Sequence, residues 1–134
     1  MVENTGAVTR TNISSGSSFE PVFGYSRAVR VSDQIHVAGT CARAPHDTGD
    51  AYEQTKAALE IIGKALTEAG ASFEDVVRTV VYITDTSDKD LVTRAHGEVF
   101  SQILPASTLV AVAALLEPQL RVEIEAYAIL GSRA

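Results

Sequence analysis

The sequence of 134 residues contains a single cysteine, Cys41. One thiol cannot form an intramolecular disulfide, and it cannot supply a cysteine-rich zinc site. The three histidines, His36, His46 and His96, are far apart, and no carboxylate stands at ligand spacing beside them on one helix face. We therefore expect no bound metal. We interpret Cys41 as a small buried apolar residue rather than as a nucleophile.

Long apolar segments and an excess of basic residues are also absent. The longest apolar run, Leu109–Leu116, is far shorter than the about 20 residues of a membrane helix. The sequence has 11 Lys and Arg residues against 17 Asp and Glu residues, a net charge of −6, whereas a surface that follows nucleic-acid phosphates is usually positive. Met1–Gly6 lacks a basic segment followed by an apolar one, so we expect no signal peptide. These features predict a cytoplasmic protein that binds neither membranes nor nucleic acids.

The short motifs of several large enzyme classes are missing as well. The sequence contains no P-loop, no Gly-x-Gly-x-x-Gly segment after a strand, no His-Glu-x-x-His and no Gly-x-Ser-x-Gly. Together with the scattered histidines, these absences lead us to expect a protein without a cofactor.

The hydrophobic periodicity predicts one α+β domain over residues 1–134, in which two helices cover one face of a mixed sheet. Ser14–Ser18 and residues 41–49 are typical of loops, and Ser72–Asp75 of a short helical turn. The expected helices are Asp50–Ala69 and Ser87–Leu104, and the expected strands are Arg27–Val31, Gln34–Thr40, Val76–Ile83, Thr108–Val112 and Arg121–Leu130.

Two of the expected strands, Val76–Ile83 and Arg121–Leu130, indicate what lies on the other face of the sheet. In the last strand, apolar residues from Val122 to Ala128 alternate with Glu123, Glu125 and Tyr127, which indicates a sheet with one wet face. Val76–Ile83, in contrast, is largely apolar on both sides. Because two helices can cover only one face, the remaining apolar residues favour a self-associating surface.

Five segments in this order resemble the Rid family (reactive intermediate deaminase, also called YjgF or L-PSP). The most specific are the Pro-Ala-x-Ser/Thr type of strand start at Pro105 and the Val-Glu-Ile-Glu-Ala strand at Val122. The resemblance covers about Tyr25 to Ile129, and it implies a chorismate-mutase-like fold. It also implies a homotrimer whose sheets form a central barrel, with a small-molecule site at each subunit interface. The five segments are Phe23–Ser26, Val37–Thr40, Glu68–Val77, Pro105–Val112 and Arg121–Ala126.

The best-known members of the family hydrolyse enamines and imines and release ammonia, and the resemblance implies roles for six residues. Glu123 takes the position of the catalytic glutamate that helps to position water, and Tyr25 that of the tyrosine that closes the cleft. Ser107 stands where the family has an arginine that binds the substrate carboxylate, and a serine offers only one neutral donor there. We therefore predict an imine or enamine hydrolase that is not a standard 2-imino acid deaminase. The expected substrate-binding residues are Tyr25, Gly39, Ser107, Thr108 and Leu109.

The residues by themselves leave alternatives open. Glu123 is equally typical of a solvated carboxylate, Tyr25 of a loop aromatic over the core, and Ser107 and Thr108 of an ordinary strand start. Arg27, Arg43, Arg94 and Arg121 are candidates to replace the missing guanidinium, and Phe19 and Phe23 either line a cleft mouth or hold the loop to the core. For the whole protein, the alternatives are a metabolite-binding or chaperone-like protein without turnover and, less favoured by the charge, an endoribonuclease.

Overall fold

The computed structural model describes residues 8–133, and the expectation made for Met1–Gly6 lies outside them. A six-stranded mixed sheet runs through the molecule in the order β1-β2-β3-β6-β4-β5. Only β4 and β5 are parallel, and every other adjacent pair is antiparallel. The strands are β1 (Arg10–Ile13), β2 (Ala28–Val31), β3 (Gln34–Thr40), β4 (Val76–Ile83), β5 (Ala106–Ala111) and β6 (Val122–Ile129), and the helices are α1 (Phe19–Phe23), α2 (Ala51–Glu68) and α3 (Lys89–Phe100).

The helices α2 and α3 pack on one face of this sheet, as the periodicity predicts. The Asp50 side chain caps α2 by accepting a hydrogen bond from the Glu53 N–H at 2.9 Å. Leu59, Ile62 and Leu66 lie on one side of α2 and are at most 2% exposed. Each such side chain stabilises the fold by about 1.5–3 kcal/mol relative to an exposed one. The predicted α+β class is therefore confirmed.

The strand β6 confirms the predicted alternation of its side chains. Val122, Ile124, Ala126 and Ala128 are at most 2% exposed and belong to the core, whereas the residues between them are half-buried on the helix-free face. The strict alternation fails at the start of β4. There the pairing with β6 shifts between Val76 and Arg78, so Val76 also enters the core.

The second long helix is shorter than its predicted range of Ser87–Leu104. A 3-10 turn at Thr86–Asp88 precedes α3, and the Asp85 side chain accepts the Ser87 N–H at 2.9 Å. The helix ends at Phe100, and Leu104 has a φ of 57°. Because proline disfavours helical backbone in the residue before it, the chain leaves the helix several residues before Pro105.

Two elements near the start of the described chain are missing from the sequence-based prediction. The strand β1 has only one buried residue, Ile13, so it shows no alternation of polar and apolar residues. The helix α1 has five residues, too few for a helical period to be recognised. The Ser14–Ser18 segment between them is indeed irregular, but hydrogen bonds of Ser15 attach it to Glu20 and Arg43.

None of the helices within residues 8–133 combines the length and the apolar character that crossing a membrane requires.

Candidate functional site

A pocket of about 810 Å³ lies where α1, the segment after β3 and the start of β6 meet. Three of the six expected site residues, Tyr25, Gly39 and Glu123, line this pocket. Tyr25 follows α1, Gly39 lies near the end of β3, and Glu123 lies on the neighbouring strand β6. The pairing of β3 with β6 therefore brings distant parts of the sequence to one pocket.

Glu123 lies directly against the backbone of Gly39. A Cβ atom placed on Gly39 would overlap the Glu123 carboxylate, so only glycine leaves room for that carboxylate in its present position. This explains in physical terms why a glycine stands at residue 39, since a larger residue would displace the acid.

Cys41 is the second neighbour of Glu123. The thiol is half-buried and lies on the pocket wall together with this carboxylate. Burial, and after it the negative charge of Glu123, raise the pKa of Cys41 to about 12. Cys41 is thus a neutral thiol at physiological pH. The sequence predicts a small buried residue rather than a nucleophile at Cys41, and the structure places this thiol, half-buried, on the pocket wall beside Glu123.

Arg27 holds the Tyr25 ring in place. Arg27 as a whole is 5% exposed, and its guanidinium donates to the Gly39 carbonyl at 2.7 Å and to the Thr40 hydroxyl at 3.0 Å. It also donates to the Tyr25 hydroxyl oxygen at 2.7 Å and lies 5.2 Å from the centre of the ring. Since the Tyr25 oxygen accepts this bond, its own hydrogen remains able to donate to a ligand.

The structure places two of the four candidate arginines, Arg27 and Arg43, at this pocket. Arg43 is exposed, and its guanidinium donates to the carbonyl oxygen of Ser15 at 3.1 Å and to the Ser15 hydroxyl. The other two candidates are engaged elsewhere. The guanidinium carbon of Arg94 lies 4.1 Å from the centre of the Tyr52 ring, and Arg121 binds Asp88 at 2.9 Å.

Glu20 is 4% exposed and is linked to Arg27 through the Ser15 hydroxyl. Its carboxylate accepts the Ser15 hydroxyl at 2.6 Å and the Ser15 N–H at 3.1 Å. Burial by itself raises the pKa of Glu20, but hydrogen bonds from Ser15 and Ser14 and the charge of Arg27 outweigh it and lower the pKa. This carboxylate therefore compensates part of the Arg27 charge.

Aromatic side chains form one wall of the pocket. The rings of Phe19 and Phe23 are stacked, with centroids 5.5 Å apart, and both rings present an edge-type contact to Tyr25. Phe19 is 46% exposed and Phe23 is 72% exposed. Of the two roles that the sequence leaves open for these residues, the structure shows the first, since both line the pocket and neither is part of the buried core.

The other three expected site residues do not meet Glu123 in this chain. Ser107, Thr108 and Leu109 lie on β5, at one edge of the sheet and separated from β6 by β4. All three are exposed, and none of them lines the pocket of Tyr25 and Glu123. One copy of the chain therefore holds two separate halves of the expected site.

A chain of hydrogen bonds runs inward from Ser107, and the sequence analysis missed it. The Ser107 hydroxyl lies 2.7 Å from the Thr79 hydroxyl, which lies 2.9 Å from Nε2 of His96. Thr79 is fully buried, and burial lowers the pKa of His96 and so keeps the imidazole neutral. Ser107, which stands where the family has an arginine, is here the outer residue of a neutral hydrogen-bond network with Thr79 and His96.

Glu125 has partners of its own on the helix-free face. It accepts the Tyr82 hydroxyl at 2.8 Å and the Tyr127 hydroxyl at 2.6 Å. The hydrogen bond, burial and the negative charge raise the pKa of Tyr127 to about 12. Tyr127 and Glu125 line a second hollow of about 660 Å³, which opens on this face beside His36. Glu123 and Glu125, the two glutamates of β6, thus line different pockets.

Within residues 8–133, no group of three or more His, Cys, Asp or Glu side chains is arranged to hold a metal ion.

A mixed sheet with helices on one face and a pocket between α1, β3 and β6 defines a small α+β protein with a ligand-sized site beside a carboxylate. Residues 15–130 match the family model described as Endoribonuclease L-PSP. The chain belongs to this family, which includes the Rid and YjgF proteins, so the predicted membership and chorismate-mutase-like fold are confirmed.

Three similar proteins illustrate the relationship. An uncharacterised protein of Streptomyces coelicolor is 38% identical over 90% of this chain and 92% of its own length. The mouse protein named 2-iminobutanoate/2-iminopropanoate deaminase is 34% identical over 93% of this chain and 95% of its own length. The crystal structure of the YjgF/YER057c/UK114 family member Rv2704 from Mycobacterium tuberculosis is 46% identical, with a TM-score of 0.86 over 91% of this chain and all of that one.

Proposed function

We propose that this protein hydrolyses imines or enamines at a site that two copies of the chain form together in a homotrimer. One observation carries the proposal: Tyr25, Gly39 and Glu123 line one pocket, while Ser107 lies on an exposed sheet edge that has no partner strand within residues 8–133. An edge strand with free backbone groups is a natural contact for a second copy.

The chemistry requires few groups. A protonated imine carbon is electrophilic, so the site has to orient one water molecule and move its protons. In the proposed reaction Glu123 accepts a proton from the attacking water, and the Tyr25 hydroxyl donates a hydrogen bond to the substrate. The carbon–nitrogen bond then breaks as the nitrogen takes up a proton, and the products are a carbonyl compound and ammonium.

The neutral hydrogen-bond network of Ser107, Thr79 and His96 argues for a substrate other than a standard 2-imino acid. A serine hydroxyl that is already hydrogen-bonded to Thr79 cannot replace the two parallel bonds and the full charge of a guanidinium on a carboxylate. We therefore expect no strict requirement for a carboxylate next to the imine carbon.

The assembly is supported by the surface of β5. Leu109 and Val110 are each 41% exposed, which is high for apolar residues in a strand. A second copy that covers this edge would bury them and bring Ser107 near a neighbouring pocket. Sedimentation velocity at micromolar concentration tests this step, because a trimer has a mass of about three times 14.2 kDa.

Hydrolysis is tested by ammonia release from imines generated in situ from several amines and amino acids. We expect acceleration over buffer with wild-type protein and its loss in Glu123→Gln. Ser107→Arg should increase activity toward 2-imino acids only. Acceleration that is equal in Glu123→Gln and wild type would contradict the mechanism, and a ligand-induced thermal shift without any product would favour the alternative of a binding protein without turnover.

A further inference from the structure

The pocket of Tyr25 and Glu123 contains more negative than positive side chains. Asp47, Glu117 and Glu123 line it together with Arg27 and Arg43, which makes three carboxylates against two guanidinium groups. Within residues 8–133, none of these three carboxylates lies within 4 Å of a Lys or Arg nitrogen. Their charges are therefore not cancelled by direct ion pairs in the described part of the chain.

Two of the carboxylates are held close to each other. The Gln119 side-chain amide donates one hydrogen bond to Asp47 at 3.2 Å and one to Glu117 at 2.9 Å. A neutral amide fixes the position of both acids without neutralising either of them. The negative charge on this wall is thus built into the arrangement of the loops.

Most of the Arg27 donors, and two of the Arg43 donors, are engaged within the chain. Arg27 is nearly fully buried, and its N–H groups donate to Ser15, Gly39, Thr40 and Tyr25. Arg43 is bound to Ser15 at the α1 side of the pocket. Four of the five N–H groups of Arg27 are used in this way, so a ligand carboxylate could not form two bonds to Arg27 without displacing at least one of them.

The aromatic wall favours a positive ligand for a second reason. The rings of Phe19 and Phe23 are exposed to the pocket, and the face of an aromatic ring attracts an ammonium or iminium group electrostatically. Leu116 adds an exposed apolar side chain that is 85% accessible. Aromatic faces and carboxylates around one pocket suit an organic cation with an apolar substituent.

We propose that the substrate class of this site is the carboxylate-free iminium ion derived from an arylalkyl or alkyl amine, bound between the Phe19–Phe23 wall and the carboxylates of Asp47, Glu117 and Glu123. This inference rests on the proposed hydrolytic function. The reaction balances as R₂C=NH₂⁺ plus H₂O giving R₂C=O plus NH₄⁺. The water oxygen forms the new bond to carbon, and the carbon–nitrogen bond breaks as both water protons pass to nitrogen.

The binding experiment uses three stable probes with the full chain, measured by calorimetry at fixed ionic strength. Benzylammonium carries the ring and a positive charge, phenylacetate the ring and a negative charge, and cyclohexylmethylammonium the charge without an aromatic ring. We expect benzylammonium to bind at least tenfold more tightly than phenylacetate. Equal or tighter binding of phenylacetate would overturn the inference and assign the pocket to anions.

Variants locate the binding. Glu117→Gln and the double variant Phe19→Leu with Phe23→Leu should each weaken benzylammonium binding about three- to tenfold. Val22→Ala is the matched control, since Val22 lies on α1, is 80% exposed and does not line the pocket. Glu117 is exposed, so its variant retains the fold even if the double variant does not. Unchanged affinity in Glu117→Gln and in a folded double variant would overturn the inference.

Turnover separates this inference from the proposed function. An amine oxidase acting on benzylamine supplies the carboxylate-free imine, and an amino acid oxidase acting on phenylalanine supplies the matched imino acid. A clear preference for the first is the expected result. Hydrolysis of the imino acid alone would overturn the substrate class and leave the hydrolase intact, whereas cation binding without hydrolysis of either imine would overturn the hydrolase and leave the cation site.

Discussion

The carboxylate of Glu123 occupies the space in which a side chain of residue 39 would stand, so Gly39 and Glu123 are a complementary pair across β3 and β6. This contact lies on the wall of the pocket, where the position of the acid decides whether it can reach a bound water. The three atoms nearest to a Cβ placed on Gly39 all belong to the Glu123 side chain. The backbone at residue 39 therefore sets where the proposed catalytic acid lies.

Gly39→Ala is expected to displace Glu123 and to reduce imine hydrolysis by at least tenfold, with a loss of stability of about 1–3 kcal/mol from overpacking. Urea unfolding and the ammonia assay measure the two effects. Gly97→Ala is the matched control, since Gly97 lies in α3 with open space around it and should gain about 0.5–1 kcal/mol. A stable and fully active Gly39→Ala variant would show that the carboxylate position is unimportant.

Cys41 should be nearly inert toward alkylation. With a pKa of about 12, only about one thiol in ten thousand is ionised at pH 8, and the thiolate is the reactive form. Glu123→Gln removes the adjacent negative charge, so the rate of iodoacetamide labelling, followed by mass spectrometry, should rise about tenfold or more. Labelling of the wild-type protein as fast as free glutathione would refute the assigned contact.

Thr79→Val replaces a fully buried hydroxyl by a methyl group of similar size. His96 and Ser107 then lose their common hydrogen-bonding partner, which should cost about 1–3 kcal/mol in the free energy of unfolding. Thr79→Ser keeps the hydroxyl and should lose less than Thr79→Val. If denaturant unfolding ranks the two variants in the opposite order, packing of the Thr79 methyl group outweighs the polar chain.

We expect the protein to become less stable in acid, because the stabilising contribution of the ionised Asp75 carboxylate is then lost. It is fully buried and accepts hydrogen bonds from the N–H groups of Ser72 and Gly131 at 3.1 and 3.0 Å and from the Arg133 guanidinium at 3.0 Å. Burial raises its pKa, but these bonds and the Arg133 charge outweigh burial and lower the pKa. The contribution of Asp75 to the free energy of unfolding is therefore complete above the pKa of about 3.9 that it has in the unfolded chain. It is lost as the pH falls through the lower pKa of the folded protein.

Asp75→Asn tests this dependence by thermal unfolding between pH 2 and pH 7. The variant should be about 1–3 kcal/mol less stable than wild type at pH 7, and the difference should shrink toward pH 2. Glu74→Gln is the control, because Glu74 binds the same Arg133 at an exposed position and should change stability by less than about 1 kcal/mol. A difference that does not change with pH would rule out the ionised Asp75 as its source.

Elements with a strong period could be predicted from the sequence. The range Asp50–Ala69 predicts α2 to within one residue at each end, because its apolar stripe repeats at helical spacing over this whole segment. The alternation in β6 predicts which side is buried. The strand β1 and the helix α1 could not be predicted, because β1 has one buried residue and α1 is too short to show a period.

The candidate site, too, could be predicted from the sequence only in part. The resemblance selects Tyr25, Gly39 and Glu123, and the structure brings them to one pocket. Nothing in the sequence connects Cys41 to Glu123 or Ser107 to His96, because these contacts depend on the register of strand pairing and on how α3 packs against β4.

By itself, the sequence determined the α+β class, the family and the loss of the arginine at Ser107, since periodicity and motifs act within short segments. Only the tertiary structure decided which arginines reach the pocket and which acids have no ion-pair partner within residues 8–133. It also decided that Ser107 lies on the edge strand β5, separated from Glu123 on β6 by β4. Those features arise from side chains far apart in the chain, and only the pairing of strands and the packing of helices sets the distances between them.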